Sequence, residues 1–444
     1  MRLSNFGPVL SFLVLTVLCA STTLADTFYV RTSGSDNNSG LSPSEAKRTI
    51  QSAVDLCTGP GSTIYVGPGT YRETINIGVS TGTSAVSGTE DAPTQLIADV
   101  AGQHTLDSPG EVIVDGQNSK QYGINMKSRA FWTIQGFTFR NQTQYGVYAL
   151  ESGFQALDCT IQVPTEYAIY TTSNSDLSIA NCTFERTLSS GSVIRVNPVT
   201  SSSTNDVRIT GNDLTLKNDL YLISSLHNGN QSGIGWYLGF RSVHGIVISS
   251  AIQATLNQVD ISNNQISDCY HPIYNYLEKS SKYELTISNN TITGSYYGIY
   301  AYSRAASTAT MTNNVISTCY SGMFGDRARS RNYTVAGHVE HNITYDMTKY
   351  SRSFESRIIT EDPKFFDAPA GDFSLSSGSS CIDAGTHIGA PAVDIAGRSR
   401  PTDGNNDGVA HVDIGAYEYV NSAPSRVKVV EWREISGHRN MSNP

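Results

Sequence analysis

The sequence predicts an all-β chain wound as a solenoid. Three observations predict it. A short apolar motif recurs through the middle of the chain at intervals of 22 to 27 residues. Inside each unit, apolar and polar residues alternate over a few positions, the period of a strand. The composition suits strands and turns, with 38 glycines, 24 tyrosines and only 16% charged residues in 444, and no charged helical heptads.

Residues 1–25 read as an export signal: Arg2 at the start, an apolar run from Val9 to Leu18, and Thr23-Leu24-Ala25 as a small-residue cleavage site. The run is too short to span a bilayer, so a secreted protein is expected, with no membrane span. Formal net charge is −9, without the basic footprint of a nucleic-acid binder. The solenoid is expected over 26–360, followed by a small β domain over 361–420 and a polar tail over 421–444.

The repeats open at Gly123-Ile124, Gly146-Val147, Ala168-Ile169, Val193-Ile194, Leu220-Tyr221, Gly245-Ile246, Pro272-Ile273, Gly298-Ile299 and Gly322-Met323. Alternation assigns an inward pair to each first strand, from Ile124/Met126 through Leu220/Leu222 and Ile273/Asn275 to Met323/Gly325. A second strand follows halfway along most units, as in Ile261-Ser-Asn-Asn-Gln-Ile and Ile287-Ser-Asn-Asn-Thr-Ile. Asn212, Asn264, Asn290 and Asn314 then share one column, where amides can bond coil to coil. Cys159 and Cys182 share a column in successive coils, close enough to bridge. Cys269 and Cys319 stand two coils apart with Ser295 between, about 9.6 Å, beyond disulfide reach.

These repeats resemble the right-handed parallel β-helix proteins of the pectate-lyase-like group. The opening segment Tyr29-Val-Arg-Thr-Ser-Gly, Thr49-Ile-Gln-Ser-Ala-Val and Ile64-Tyr-Val-Gly-Pro-Gly resembles the start of such proteins, where a short helix caps the first coil. The closing segment Asp362-Pro-Lys-Phe, Cys381-Ile-Asp-Ala-Gly and Val412-Asp-Ile-Gly-Ala-Tyr-Glu resembles the choice-of-anchor Q domain that follows some solenoids. The resemblance implies a polysaccharide as partner, acidic if the protein is a lyase, and a monomeric carbohydrate-active protein. It spans lyases, hydrolases and non-catalytic surface proteins, so activity rests on the residues.

Outward positions of the first strands carry Tyr274/Tyr276 and, one coil on, Tyr300/Tyr302. Rings there suit sugar faces and phenols suit hydroxyls. Beside them stand Glu278, Lys279, Arg304, Asp326, Arg327, Arg329 and Arg331. β-Elimination needs a base for the proton α to a uronate carboxylate and a cation to acidify that proton. Lys279 is the expected base, with Arg304 and Arg327 as the cations; Arg329 and Arg331 would hold neighbouring uronates. Hydrolysis would instead need two carboxylates. Glu278 and Asp326, two coils or about 9.6 Å apart, reach the edge of the inverting range. No Asp-Asp dipeptide of the kind that β-helix polygalacturonases carry occurs. The third reading uses the same face for adhesion without turnover. Finally, Asp403, Asn405, Asp407 and Asp413 space oxygen ligands as a calcium loop does, with Ca2+ as the expected ion, while an Asn/Asp/Gly turn without metal explains the same residues.

Overall fold

The computed structural model describes residues 25–79, 85–150, 153–162, 166–172, 176–185, 191–198, 206–215, 243–254, 258–280, 283–295, 297–303, 308–319, 321–325, 333–341, 355–359 and 361–421. They wind into a right-handed parallel β-helix. Among the described residues, the strands form a nine-stranded sheet, a twenty-stranded sheet that carries the other two sides of each coil, and one antiparallel pair. One coil shows the plan: Tyr122–Lys127 lies on the first sheet, then Trp132–Gln135 and Thr138–Arg140 lie on the second. In the two parallel sheets strands pair with their equivalents one coil on, in register except between Ser250 and Gln253 and within Thr308–Cys319. Val147 faces Ile124 and Ile169, and Ile161 faces Phe139 and Phe184.

The alternation puts the core where the pattern says. Ile124, Met126, Val147, Ala149, Ile169, Thr171, Ile194, Val196, Ile246, Ile248, Ile273, Asn275, Ile299 and Ala301 are all buried. Met323 and Gly325 are placed by backbone register alone, opposite Ile299 and Ala301. Leu220 and Leu222 lie outside the described residues. The coil expected there needs correcting, because Ile194 pairs directly with Ile246, and Ile209 with Ile261. No rung of either sheet comes between them. An insertion about one coil long leaves the repeat arithmetic unchanged, which is why the period ran on through it.

Seven of the described coils, from Gly136 to Asn313, turn a corner between their second and third strands through one left-handed residue. Asp158, Asn181, Asn263, Asn289 and Asn313 take φ of 53 to 56°, and Gly136 and Gly211 fill the same place. Asparagine, aspartate and glycine are the residues that tolerate this conformation. The next residue turns inward and builds the expected amide ladder. Asn212 Nδ2 donates to Asn264 Oδ1 at 3.0 Å, Asn264 to Asn290 at 2.9 Å, and Asn290 to Asn314 at 2.9 Å. Cys159 and Cys182 continue that column as buried free thiols. Cys269 and Cys319 are also buried and form no disulfide, and the Cys269 amide donates to Ser295 Oγ between them.

The N-terminal end is closed by a five-residue helix, Ile50–Val54, which buries Ile50, Ala53 and Val54. Thr49 Oγ1 caps it, and the Glu73 carboxylate accepts the Ile50 and Gln51 amides at 2.9 Å each. A carboxylate on these amides satisfies donors that the helix itself cannot.

Residues 361–421 hold one antiparallel pair, Phe365–Asp367 with Asp372–Leu375. The segment lies along the coils instead of extending beyond them. The corner asparagines dock it: Asn263 Nδ2 donates to Val393 O at 2.6 Å, Asn289 Nδ2 to Asp413 O at 3.0 Å, and Asn313 Nδ2 to Thr386 O at 2.7 Å. Arg400 and Glu418, buried side by side, pair at the centre, and the Arg400 guanidinium also reaches Asn263 Oδ1 at 3.1 Å. No helix among the described residues is long and apolar enough to cross a membrane.

Candidate functional site

The nine-stranded sheet presents its outward residues in columns fixed by register. One column runs Asn125, Tyr148, Tyr170, Arg195, Val247, Tyr274, Tyr300. Its neighbour runs Tyr122, Tyr145, Tyr167, Ser192, His244, His271. Tyr297 extends the second column by stacking on His271. Two aromatic clusters result, because Val247 is buried and separates them along the first column.

In the cluster around Tyr274, the rings stack along the solenoid axis. Tyr274 and Tyr300 lie 4.9 Å apart at 13°, and Tyr274 and Tyr276 lie 6.0 Å apart at 15°. His244 and His271 lie 5.0 Å apart at 10°. Ring faces that stack on each other are not free for sugar faces, so the expectation of pyranose stacking on these rings needs correcting. What a stacked column offers outward is ring edge and hydroxyl. Burial raises the Tyr274 hydroxyl, with Tyr276 adding to it and Arg195 opposing, so Tyr274 works as a donor at neutral pH and not as a phenolate base.

His271 and His244 share one hydrogen bond, Nδ1 to Nδ1 at 3.1 Å, so one ring donates and the other accepts. Burial and then His244 push His271 down to about 3. The folded ring stays neutral where an unfolded histidine takes a proton near pH 6.5. Acid therefore favours the unfolded chain, and stability falls as the pH drops from about 6.5 towards 3, by up to about 1.4 kcal/mol per pH unit. Denaturant melts between pH 7 and pH 4 should show His271→Phe with a shallower loss than the wild type, and equal slopes would refute this.

The structure places the remaining expected residues unevenly. Tyr274, Tyr276 and Tyr300 come together on the sheet; Tyr302 stands opposite Tyr276 by backbone register. Glu278 and Lys279 belong to the strand His271–Ser280, with Lys279 opposite Gln253, and their side chains lie outside the described part. Arg304, Asp326, Arg327, Arg329 and Arg331 lie outside the described residues.

In the expected calcium loop, the oxygens serve the backbone. Asp407 N donates to Asn405 Oδ1 at 2.8 Å and Gly408 N to Asp403 Oδ2 at 3.0 Å. Asp413 is buried, raised to about 7 by its burial, and accepts the Asp383 and Tyr419 amides on its two oxygens. Among the described residues no three His, Cys, Asp or Glu gather as metal ligands. Asp403, Asn405 and Asp407 share one turn, while Asp413 bonds the Asp383 and Tyr419 amides.

The residues that sequence reasoning missed are Tyr122, Tyr145, Tyr167 and Tyr297. Each stands directly before a repeat opening, so a Tyr-Gly-Ile-like signal was present. Gly123 follows Tyr122 for a steric reason. A Cβ there would stand 2.6 Å from the Gly146 carbonyl oxygen and 2.7 Å from the Phe139 ring.

A family model described as a right handed beta helix region matches residues 107–234. No curated protein matches the chain. Among solved structures, pectate lyase Pel9A is similar at 15% identity and a TM-score of 0.46, over 89% of this chain and 96% of that one. XylC in complex with xylose is similar at 11% identity and 0.43, over 71% and 70%. A rhamnogalacturonan lyase is similar at 14% identity and 0.43, over 80% and 97%. Likenesses this distant carry no inference about activity.

Proposed function

We propose that this chain is a secreted carbohydrate-active protein whose nine-stranded sheet binds an acidic polysaccharide and cleaves it by β-elimination. The observation that carries the reading is the half-buried cluster of Tyr274, Tyr276 and Tyr300 beside the neutral His271. Phenol donors gathered in one cluster recognise hydroxyl and carboxylate oxygens.

In this reading Lys279 removes the proton α to the uronate carboxylate. Arg304 and Arg327 neutralise that carboxylate and so stabilise the charge that develops. The electron pair forms the new carbon–carbon double bond, the glycosidic bond breaks, and the departing oxygen takes the proton that Lys279 removed, relayed through solvent. Arg329 and Arg331 hold flanking uronates.

A second reading, binding without turnover, is favoured by the outward column itself. Its described members are phenols, an asparagine, an arginine and a valine, with no carboxylate to pair as acid or base.

Both readings need the phenol hydroxyls near Tyr274. The double variant Tyr274→Phe/Tyr300→Phe keeps the rings stacked and removes two donors. It should bind polygalacturonate, alginate or hyaluronan about tenfold more weakly in a calorimetric titration, two hydrogen bonds to charged groups being worth at least that. Unchanged affinity would show that the column is only a structural ladder.

A further inference from the structure

The cluster farther toward the N-terminus has no part in the reaction above. Tyr122, Tyr145 and Tyr167 stack at 5.3 and 5.6 Å with planes 10 to 11° apart. Beside them Tyr148 and Tyr170 stack at 5.3 Å and 16°. The two stacks meet edge to face, Tyr145 with Tyr148 at 4.9 Å and Tyr167 with Tyr170 at 5.3 Å. A ladder that only stabilised the coils would need ring faces, and phenylalanine supplies those equally well. Every one of these five rings carries a hydroxyl. Burial comes first in raising Tyr145, to about 12, with Glu166 and the neighbouring phenols adding to it, so the hydroxyl stays a donor.

Cations stand at both ends of this cluster. Lys127 Nζ lies 5.7 Å from the centre of the Tyr148 ring. Arg195 follows Tyr170 in the column, and its Nε donates to Asn197 Oδ1 at 2.9 Å. Asn197 Nδ2 in turn donates to the Tyr170 hydroxyl oxygen at 2.6 Å, which leaves the Tyr170 proton to be given outward. Among the described residues neither Lys127 nor Arg195 forms an ion pair. Donors in rows about one coil apart, between two unneutralised cations, complement a chain that repeats hydroxyl and carboxylate oxygens.

We propose that Tyr145, Tyr148, Tyr167 and Tyr170, flanked by Lys127 and Arg195, form a second polysaccharide-contact site that anchors a linear, carboxylate-bearing glycan apart from the Tyr274 cluster. The proposal rests on the reading of the sheet as a glycan-binding face. Two sites on one polymer raise its affinity through effective concentration, whereas a short oligosaccharide occupies only one.

The test is a titration of the full chain with polygalacturonate, alginate and hyaluronan, with dextran as the uncharged control. The variants are Tyr148→Phe/Tyr170→Phe and, separately, Lys127→Gln. The tyrosine variant keeps its stacks and, having lost only the Asn197 bond, should stay folded with a slightly lower melting temperature, yet bind the carboxylated polymer about tenfold more weakly. Lys127→Gln, which removes a half-buried charge outside the core, should weaken binding several-fold and flatten its salt dependence. If both variants bind as the wild type does, the hydroxyls and the lysine serve only the coils and the second site is overturned. In that case a loss in Tyr274→Phe/Tyr300→Phe would leave the first reading standing. A wild type that binds none of the three carboxylated polymers overturns both.

Discussion

Replacing Arg400 with leucine should destabilise the docking of residues 361–421 by about 3–5 kcal/mol, because it strands a buried carboxylate. Arg400 and Glu418 have side-chain exposures of 1% and 0%, so water cannot take over the lost partner. Burial lowers the arginine and raises the glutamate, and their mutual attraction opposes both shifts. The guanidinium also bonds Asn263 Oδ1 at 3.1 Å and the Gly415 carbonyl at 3.0 Å, so the same change unpins the segment from the coil. Glu418→Gln should also destabilise, because the Thr402 and Asp413 amides bond different oxygens of the carboxylate and a carboxamide oxygen accepts only one of them. Limited proteolysis with denaturant melts reads the effect. Arg400→Leu should release fragments from the C-terminal segment before the solenoid melts, and wild-type resistance would contradict the clamp.

Asn290→Leu should cost about 2–4 kcal/mol. Its side chain donates to Ile261 O at 2.8 Å and to Asn314 Oδ1 at 2.9 Å, and accepts from Asn264 N at 3.0 Å and Asn264 Nδ2 at 2.9 Å. Leucine would fill the space but leave buried polar groups of two neighbouring coils without partners, which costs about 1–3 kcal/mol each before relaxation. The ladder is a chain, so the damage should extend to both neighbours. Hydrogen exchange should quicken at the Asn264 amide, which loses its acceptor, and at the Asn212 amide, which bonds the Asn264 side chain. Exchange confined to the substituted coil would contradict a cooperative ladder.

How far the sequence could be read follows from which residues repeat. The inward pairs of the first strand were legible because a half-buried strand has a period of two and neighbouring coils must match. The amide ladder was legible for the same reason: Asn212, Asn264, Asn290 and Asn314 hold one place in successive rungs. The asparagine before each of the last three was passed over, although it does as much. Asn263, Asn289 and Asn313 take the left-handed corner and hold the C-terminal segment, a contact across more than 70 residues that no local pattern encodes. The false rung at Leu220 arose because an insertion near one coil in length is invisible to counting. Ring orientation was equally out of reach. Outward tyrosines can present faces or edges, and only the 13° between Tyr274 and Tyr300 decides for edges.

The same geometry changes what the face can do. Recognition by a row of phenol donors depends on hydroxyls and on charge, where recognition by ring faces would depend on apolar contact. Phenylalanine substitutions therefore separate a binding face from a structural ladder more cleanly than alanine, which would damage both.

The measurement that tests the central claim most directly is turnover by the purified protein on pectate, alginate and sulfated glycosaminoglycans. Ultraviolet absorbance of the unsaturated product and release of reducing ends are followed together. The account predicts that both rise on one carboxylated polymer and that Lys279→Ala abolishes both while the fold is kept. Reducing ends without absorbance would contradict elimination and point to Glu278 and Asp326 as a hydrolytic pair, and neither signal on any of these polymers would contradict catalysis by this face.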